Sequence, residues 1–397
     1  MMKNEKTQEL YTAEVKDFLE SIAEREPVLK GGYFLDTAEK YFLPENNVKR
    51  KIFVLGTALP EEIFAALGLQ PTWILGGSLR ALEAANADVP RDTDAVSQSI
   101  LGCLKLDSFT HNSSPTVIVP MVNDSLRKIV QQLDNRGTEV IGVDIPCVTD
   151  FSEIGDRFTP MLKELIERLS VRFRARFSQR RFLEAYDAAR LARAAYEDIR
   201  YRTNGSTAMF LANTYYYTNN RVRWCQELKK LAEAVSPPAG APRVCLMGSP
   251  VFAPNFKVPD LAESSGLTIV RHFQAEFRPL SDKPLEKGRR MLRSCAENFY
   301  TDIYSSSRLD NKRMAEEFRR MIGESHPDGI IYVVLKGHIS FDFDLRTFEI
   351  IAEEHELPFI RIETDYNNND IEQLRIRLEA FSEILHHRVR LKGNSNE

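Results

Sequence analysis

The segment 334-VLKGHISFDFD-344 places a single imidazole, His338, just after the apolar run 329-GIIYVVL-335. An imidazole can take or give a proton near neutral pH and can ligate a metal. Comparable groups follow other apolar runs: Ser249 in 248-GSP-250 and Asn123–Asp124 in 123-NDS-125. Together with His338 these offer proton transfer and hydrogen bonds to a polar substrate, so all four are candidate catalytic residues. Asp94, in 91-RDTDAVSQSILGCL-104, adds a carboxylate at the start of a helical pattern. Gly56–Thr57 and Gly248–Ser249 stand at strand ends, where a following helix start favours phosphate, here the phosphates of a cofactor. None of these signals is specific alone. There is no GxGxxG or Walker A sequence, and 248-GSP-250 lacks the GxSxG context of a nucleophile elbow. The plainer readings are a hydrogen-bonded structural histidine, an N-cap at Asp94, a solvated acidic face at Asp342, Asp344 and Glu349, and an intrahelical Arg375–Glu379 pair.

The elements that must hold these groups are legible from periodicity. Short apolar runs at 51–56, 72–77, 116–122 and 139–146 recur as a second set at 243–250, 267–273, 329–337 and 358–365. Runs apolar at nearly every position suit parallel strands covered on both faces. Helical patterns lie between them, which is βαβ organisation twice over. The expected fold is α/β: two Rossmann-like domains with mostly parallel four-stranded sheets facing a central cleft. The expected boundaries are an N-terminal helical segment over 1–50, a first domain over 51–150, a helical connection over 151–240 and a second domain over 241–397. The basic run 171-VRFRARFSQRR-181 falls in that connection and reads as a solvated helix face or a subunit contact.

Bulk properties narrow the classes. The net charge of −4 gives no general attraction for nucleic acid. No apolar run is long enough for a membrane span, and no signal-peptide core is visible, so a cytoplasmic location is expected. The five cysteines are scattered without a CxxC, as expected for free thiols in a reducing compartment.

Taken together, 54-VLGTALPEEIFAALGLQP-71, 116-TVIVPMVNDSLRKI-129, 139-EVIGVDIP-146, 248-GSPVFAP-254, 328-DGIIYVVLKG-337 and 361-RIETDYNNNDIEQLRIRLEAFSEIL-385 carry a resemblance. The chain resembles the large subunits of the 2-hydroxyacyl-CoA dehydratase and benzoyl-CoA reductase family. The resemblance implies a heteromeric enzyme acting on an acyl-CoA thioester, by dehydration or ring reduction. It also implies a [4Fe–4S] cluster held by three cysteines and an ATP-dependent iron–sulfur activator. At the positions matching the cluster ligands this chain carries Asp94, Asn123 and His338. Two readings follow. Either the chain is the cluster-poor partner of a cysteine-bearing homologous subunit, or it holds a cluster through His338 with Cys103 or Cys147. A non-catalytic assembly paralogue and an unrelated two-domain Rossmann-like transferase are the alternatives.

Overall fold

The computed structural model describes the chain except residues 1, 46–49, 91–92, 111–114, 149, 239, 274–283, 302–306, 309–311 and 395–397. Arg91 and Asp92 of the segment 91–104 therefore lie outside the described residues. The described strands are β1 (Ile52–Leu55), β2 (Thr72–Ile74), β3 (Thr116–Met121), β4 (Val140–Asp144), β5 (Arg243–Gly248), β6 (Thr268–Phe273), β7 (Gly329–Leu335) and β8 (Phe359–Thr364). They form two four-stranded sheets, in the orders β2-β1-β3-β4 and β6-β5-β7-β8, with every pairing parallel. The two halves thus repeat one topology, and each predicted apolar run contains one strand.

The physical basis is burial from both sides. All of β1 and β7 is buried, whereas the edge strand β4 alternates buried with partly exposed positions. A strand flanked by two neighbours and covered by helices on both faces has no solvated side to keep polar. In each sheet the chain reverses direction of growth between the two middle strands, β1 and β3 or β5 and β7. Such a switch point opens a crevice at the carboxyl ends, where ligands of open α/β sheets bind.

Helical material joins the halves. The helix Gly205–Tyr217 is buried along nearly its whole length and packs against both β2 and β6, edge strands of the two sheets. The N-terminal helix Met2–Arg25 also reaches both halves. Its apolar stripe Tyr11, Val15, Phe18 and Ile22 is buried. Its Glu14 accepts from the Leu79 amide at 2.8 Å, and Arg25 pairs with Asp260. No helix among the described residues is long and apolar enough to cross a membrane.

The basic run 171–181, read as a solvated helix face or a subunit contact, spans a break between two helices. The helix Phe151–Phe173 ends at Arg174, which has φ 51°, and a new helix starts at Gln179 behind the Ser178 N-cap. The Ala175 amide reaches back to the Ser170 carbonyl at 3.0 Å, closing the helix end. Helical periodicity on either side conceals such a break, because neither Gly nor Pro marks it.

Candidate functional site

Ser249 follows β5 and His338 follows β7, so the two residues flank the switch point of the second sheet. Ser249 is fixed by the strand beside it. Its amide donates to the Val333 carbonyl at 2.8 Å, and its Oγ accepts from the Leu335 amide at 3.0 Å. Gly248 permits this approach: it has φ 105°, and a Cβ there would stand 2.1 Å from the Val333 oxygen. His338 Nδ1 lies 3.1 Å from Ser249 Oγ, and its ring packs on Phe341 with centroids 5.2 Å apart.

The other imidazole nitrogen crosses to the first half. His338 Nε2 stands 2.9 Å from Asp94 Oδ1. Asp94 is the N-cap of the helix Ala95–Cys103 and accepts from the Ser97 amide at 2.7 Å. It also accepts from the Ser125 hydroxyl, in the helix Asp124–Asn135 that follows β3. A continuous chain, Ser125–Asp94–His338–Ser249, therefore links the switch points of the two sheets. Asp94 is 2% exposed, Ser249 0% and His338 9%, so three of the four members are buried, with Ser125 half-buried at the end. Burial alone would raise the Asp94 carboxyl. The hydrogen bond and charge of His338, with Ser125 and the Ser97 amide, outweigh it and hold the group at about 2.

This network accommodates the imidazole in either protonation state. With a neutral ring, Nε2–H donates to Asp94 and Nδ1 accepts the Ser249 hydroxyl proton. With a charged ring, both nitrogens donate, and Ser249 Oγ accepts from Nδ1 and from Leu335 together. Hydroxyl, imidazole and carboxylate stand in the order of a hydrolase triad, but Ser249 is no exposed nucleophile: it is buried, and its own amide is bonded to Val333. The arrangement can hold and pass a proton.

The remaining candidates fall around this chain. Asn123 caps its helix by accepting from the Leu126 amide at 2.9 Å, and Asp124 is exposed in the first turn. The Gly56 amide donates to the Ile74 carbonyl at 2.8 Å, and Thr57 is partly buried beside it. At the helix start after Gly76–Gly77, the Glu14 carboxylate takes the Leu79 amide, where a phosphate would otherwise fit. Two residues not singled out from sequence join the site: Ser125 and Tyr366. Tyr366 is buried, with its phenol near Asp94 and its pKa raised by burial and by that charge. Both stand inside quoted motifs, but neither residue type distinguishes itself there.

The donor set does not fit a [4Fe–4S] cluster. Such clusters are normally held by thiolates, and the three matching positions offer a carboxylate, an amide and an imidazole already committed to protein hydrogen bonds. Among the described residues, no group of three or more His, Cys, Asp or Glu stands close enough to hold a metal ion. Of the two thiols expected to help hold a cluster, Cys103 is buried and its thiol is raised by burial, whereas Cys147 is exposed, and neither belongs to a group of metal-ligating side chains among the described residues.

Comparison with known proteins identifies a family and two distant relatives. The sequence model of one family, described as 2-hydroxyglutaryl-CoA dehydratase, D-component, matches residues 57–385. YjiM of Escherichia coli (strain K12), named as a dehydratase subunit, is 26% identical over 145 residues, which is 36% of this chain and 38% of that protein. The (R)-phenyllactyl-CoA dehydratase beta subunit of Clostridium sporogenes is 22% identical over 373 residues, covering 88% of this chain and 96% of that subunit.

Proposed function

The chain belongs to the 2-hydroxyglutaryl-CoA dehydratase D-component family, and from that premise we propose that it is a cluster-free subunit of a 2-hydroxyacyl-CoA dehydratase-type enzyme. Family membership sets aside the unrelated transferase reading. The observation that carries the proposal is the buried Asp94–His338 pair, with 2.9 Å between its atoms, at two of the positions that match cluster ligands.

Removing water from a 2-hydroxyacyl thioester requires a proton on the departing hydroxyl and a base for the hydrogen lost beside it. His338 is the group suited to carry that proton. Asp94 holds one ring nitrogen and Ser249 the other, fixing the imidazole in register. The acyl-CoA would enter between the two halves, so the cleft opens to admit it. The redox group would reside on a cysteine-bearing homologous subunit, served by an ATP-dependent iron–sulfur activator in the cytoplasm.

Two measurements test this. In the enzyme reconstituted with its partner, His338→Gln is expected to lower acyl-CoA turnover by about 100-fold while the assembly persists. Anaerobic reconstitution of the isolated chain with iron and sulfide is expected to leave no stoichiometric iron. About four irons per chain, lost in His338→Ala, would overturn the cluster-free reading. The burial of Ser249 and Asp94 favours one alternative, an assembly subunit without chemistry of its own. Unchanged turnover in His338→Gln would select it.

A further inference from the structure

A cavity of about 700 Å³ lies at the opposite end of the first sheet, where β1 begins at Ile52 and β2 at Thr72. Its size is that of a small-molecule site. Its wall charge is lopsided: among the described residues, Lys40, Arg50, Lys51 and Arg223 face it against Asp36. Lys40 and Asp36 neutralise each other at 2.7 Å. That leaves three cations, and the most telling is Arg50.

Arg50 is only 9% exposed, yet no carboxylate among the described residues pairs with it. Its guanidinium reaches the carbonyls of Tyr41 and Ser108 and lies over the rings of Tyr41 and Phe109, at 5.5 and 4.9 Å from their centroids. Burying a guanidinium without a counter-ion is costly, so an anion nearby would be favourable. Lys51 is exposed and has no carboxylate partner among the described residues, and Arg223 approaches only Glu227, at 4.0 Å on its own helix. The helix Arg221–Ala234 starts at the cavity wall, and its Asn220 cap satisfies only the Arg223 amide, at 3.0 Å. The two amides before it have no helical acceptor.

The other wall is aromatic. Tyr41 and Tyr217 stack with centroids 4.0 Å apart, and Arg223 sits 4.8 Å over the Tyr33 ring. The Tyr33 hydroxyl is buried with no hydrogen-bond partner among the described residues. Ring faces, Arg50 and Lys51 without a carboxylate partner among the described residues, a loosely paired Arg223, a buried hydroxyl and a helix N-terminus converge on one cavity. We propose that it binds a nucleotide, its planar base against the tyrosines and its phosphates on Lys51, Arg223 and the helix start. The strands of the first sheet separate this cavity from His338. A ligand here is therefore out of reach of His338, and the inference stands independently of the dehydratase reading.

Calorimetric titration of the full chain with ADP tests it. One ADP is expected per chain, with adenosine alone and inorganic phosphate alone each weaker by about tenfold or more. Lys51→Ala with Arg223→Ala is expected to weaken ADP by a similar factor. Both side chains are exposed, so the fold persists, which circular dichroism verifies. His338→Ala is expected to leave ADP affinity unchanged. Coenzyme A carries the same nucleotide chemistry: if it displaces ADP, its nucleotide end is the occupant, and if it does not, the occupant is a free nucleotide. No binding at millimolar ADP, binding unaffected by the double variant, or binding lost in His338→Ala would each overturn the proposal.

Discussion

Asp94 does two things at once: it caps a helix and holds the imidazole of the opposite half. Its carboxyl sits at about 2 in the fold against an ordinary 3.8. A carboxyl with a depressed folded value contributes its full stabilisation above the ordinary value and loses it as pH falls toward the folded one. Asp94 is therefore expected to add about 2 kcal/mol at pH 6, vanishing as pH falls from about 4 to about 2. Urea unfolding of the wild type and Asp94→Asn at pH 6, 4 and 3 checks this, with the gap between them closing on acidification. Asp94→Ala removes the cap and leaves His338 without its carboxylate, for an expected loss of about 3 kcal/mol at neutral pH. The cap was legible in the sequence, since Asp94 precedes an apolar-periodic run. Its cross-chain partner was not, because no local pattern joins positions 94 and 338.

The carboxylate is only as well placed as the helix that presents it. The helix Ala95–Cys103 packs so closely on the helix Leu79–Ala85 that a Cβ at Gly102 would stand 1.6 Å from the Ala81 carbonyl oxygen. Gly102→Ala must push the two helices apart, at a cost of about 3 kcal/mol, and it displaces Asp94 with its helix. Thermal unfolding should show a clear drop in Tm, and acyl-CoA turnover should fall although residue 102 lies eight positions along the helix from Asp94. The same close fit recurs between the halves: a Cβ at Gly77 would come within 2.4 Å of the carbonyl oxygens of Phe252 and Ala253. At this scale the sequence places Gly77 at the end of an apolar run and Gly102 within a helical pattern. It could not reveal the opposing backbone, which comes from elsewhere in the chain.

Across the whole molecule, the N-terminal helix acts as a strap. Gln8 and Glu14 bond to the first half, at Ser108 and at the Leu79 amide, and Arg25 pairs with Asp260 in the second. Phe18 packs edge-on against Phe210 and Phe256, at 5.9 and 5.3 Å. Deleting this helix exposes those rings and frees the start of the helix Leu79–Ala85. Calorimetry of the deleted chain is expected to show a lower Tm and two transitions in place of one, as the halves lose their common tie.

By itself, the sequence determined the repeat of parallel strands, because doubly covered strands must be apolar along their length. It determined the strand ends as well, and with them the positions of His338, Ser249 and Asn123, because glycine and polar residues interrupt those apolar runs. Only the tertiary structure decided which of these groups meet. The reversal of strand order sets Ser249 beside His338, and the facing of the two sheets brings Asp94 to the imidazole while Asn123 stays a helix cap. Contacts of that kind depend on relative placement of residues 89 apart for Ser249 and His338 and 244 apart (338 − 94) for Asp94 and His338, which hydrophobic period and turn chemistry do not encode.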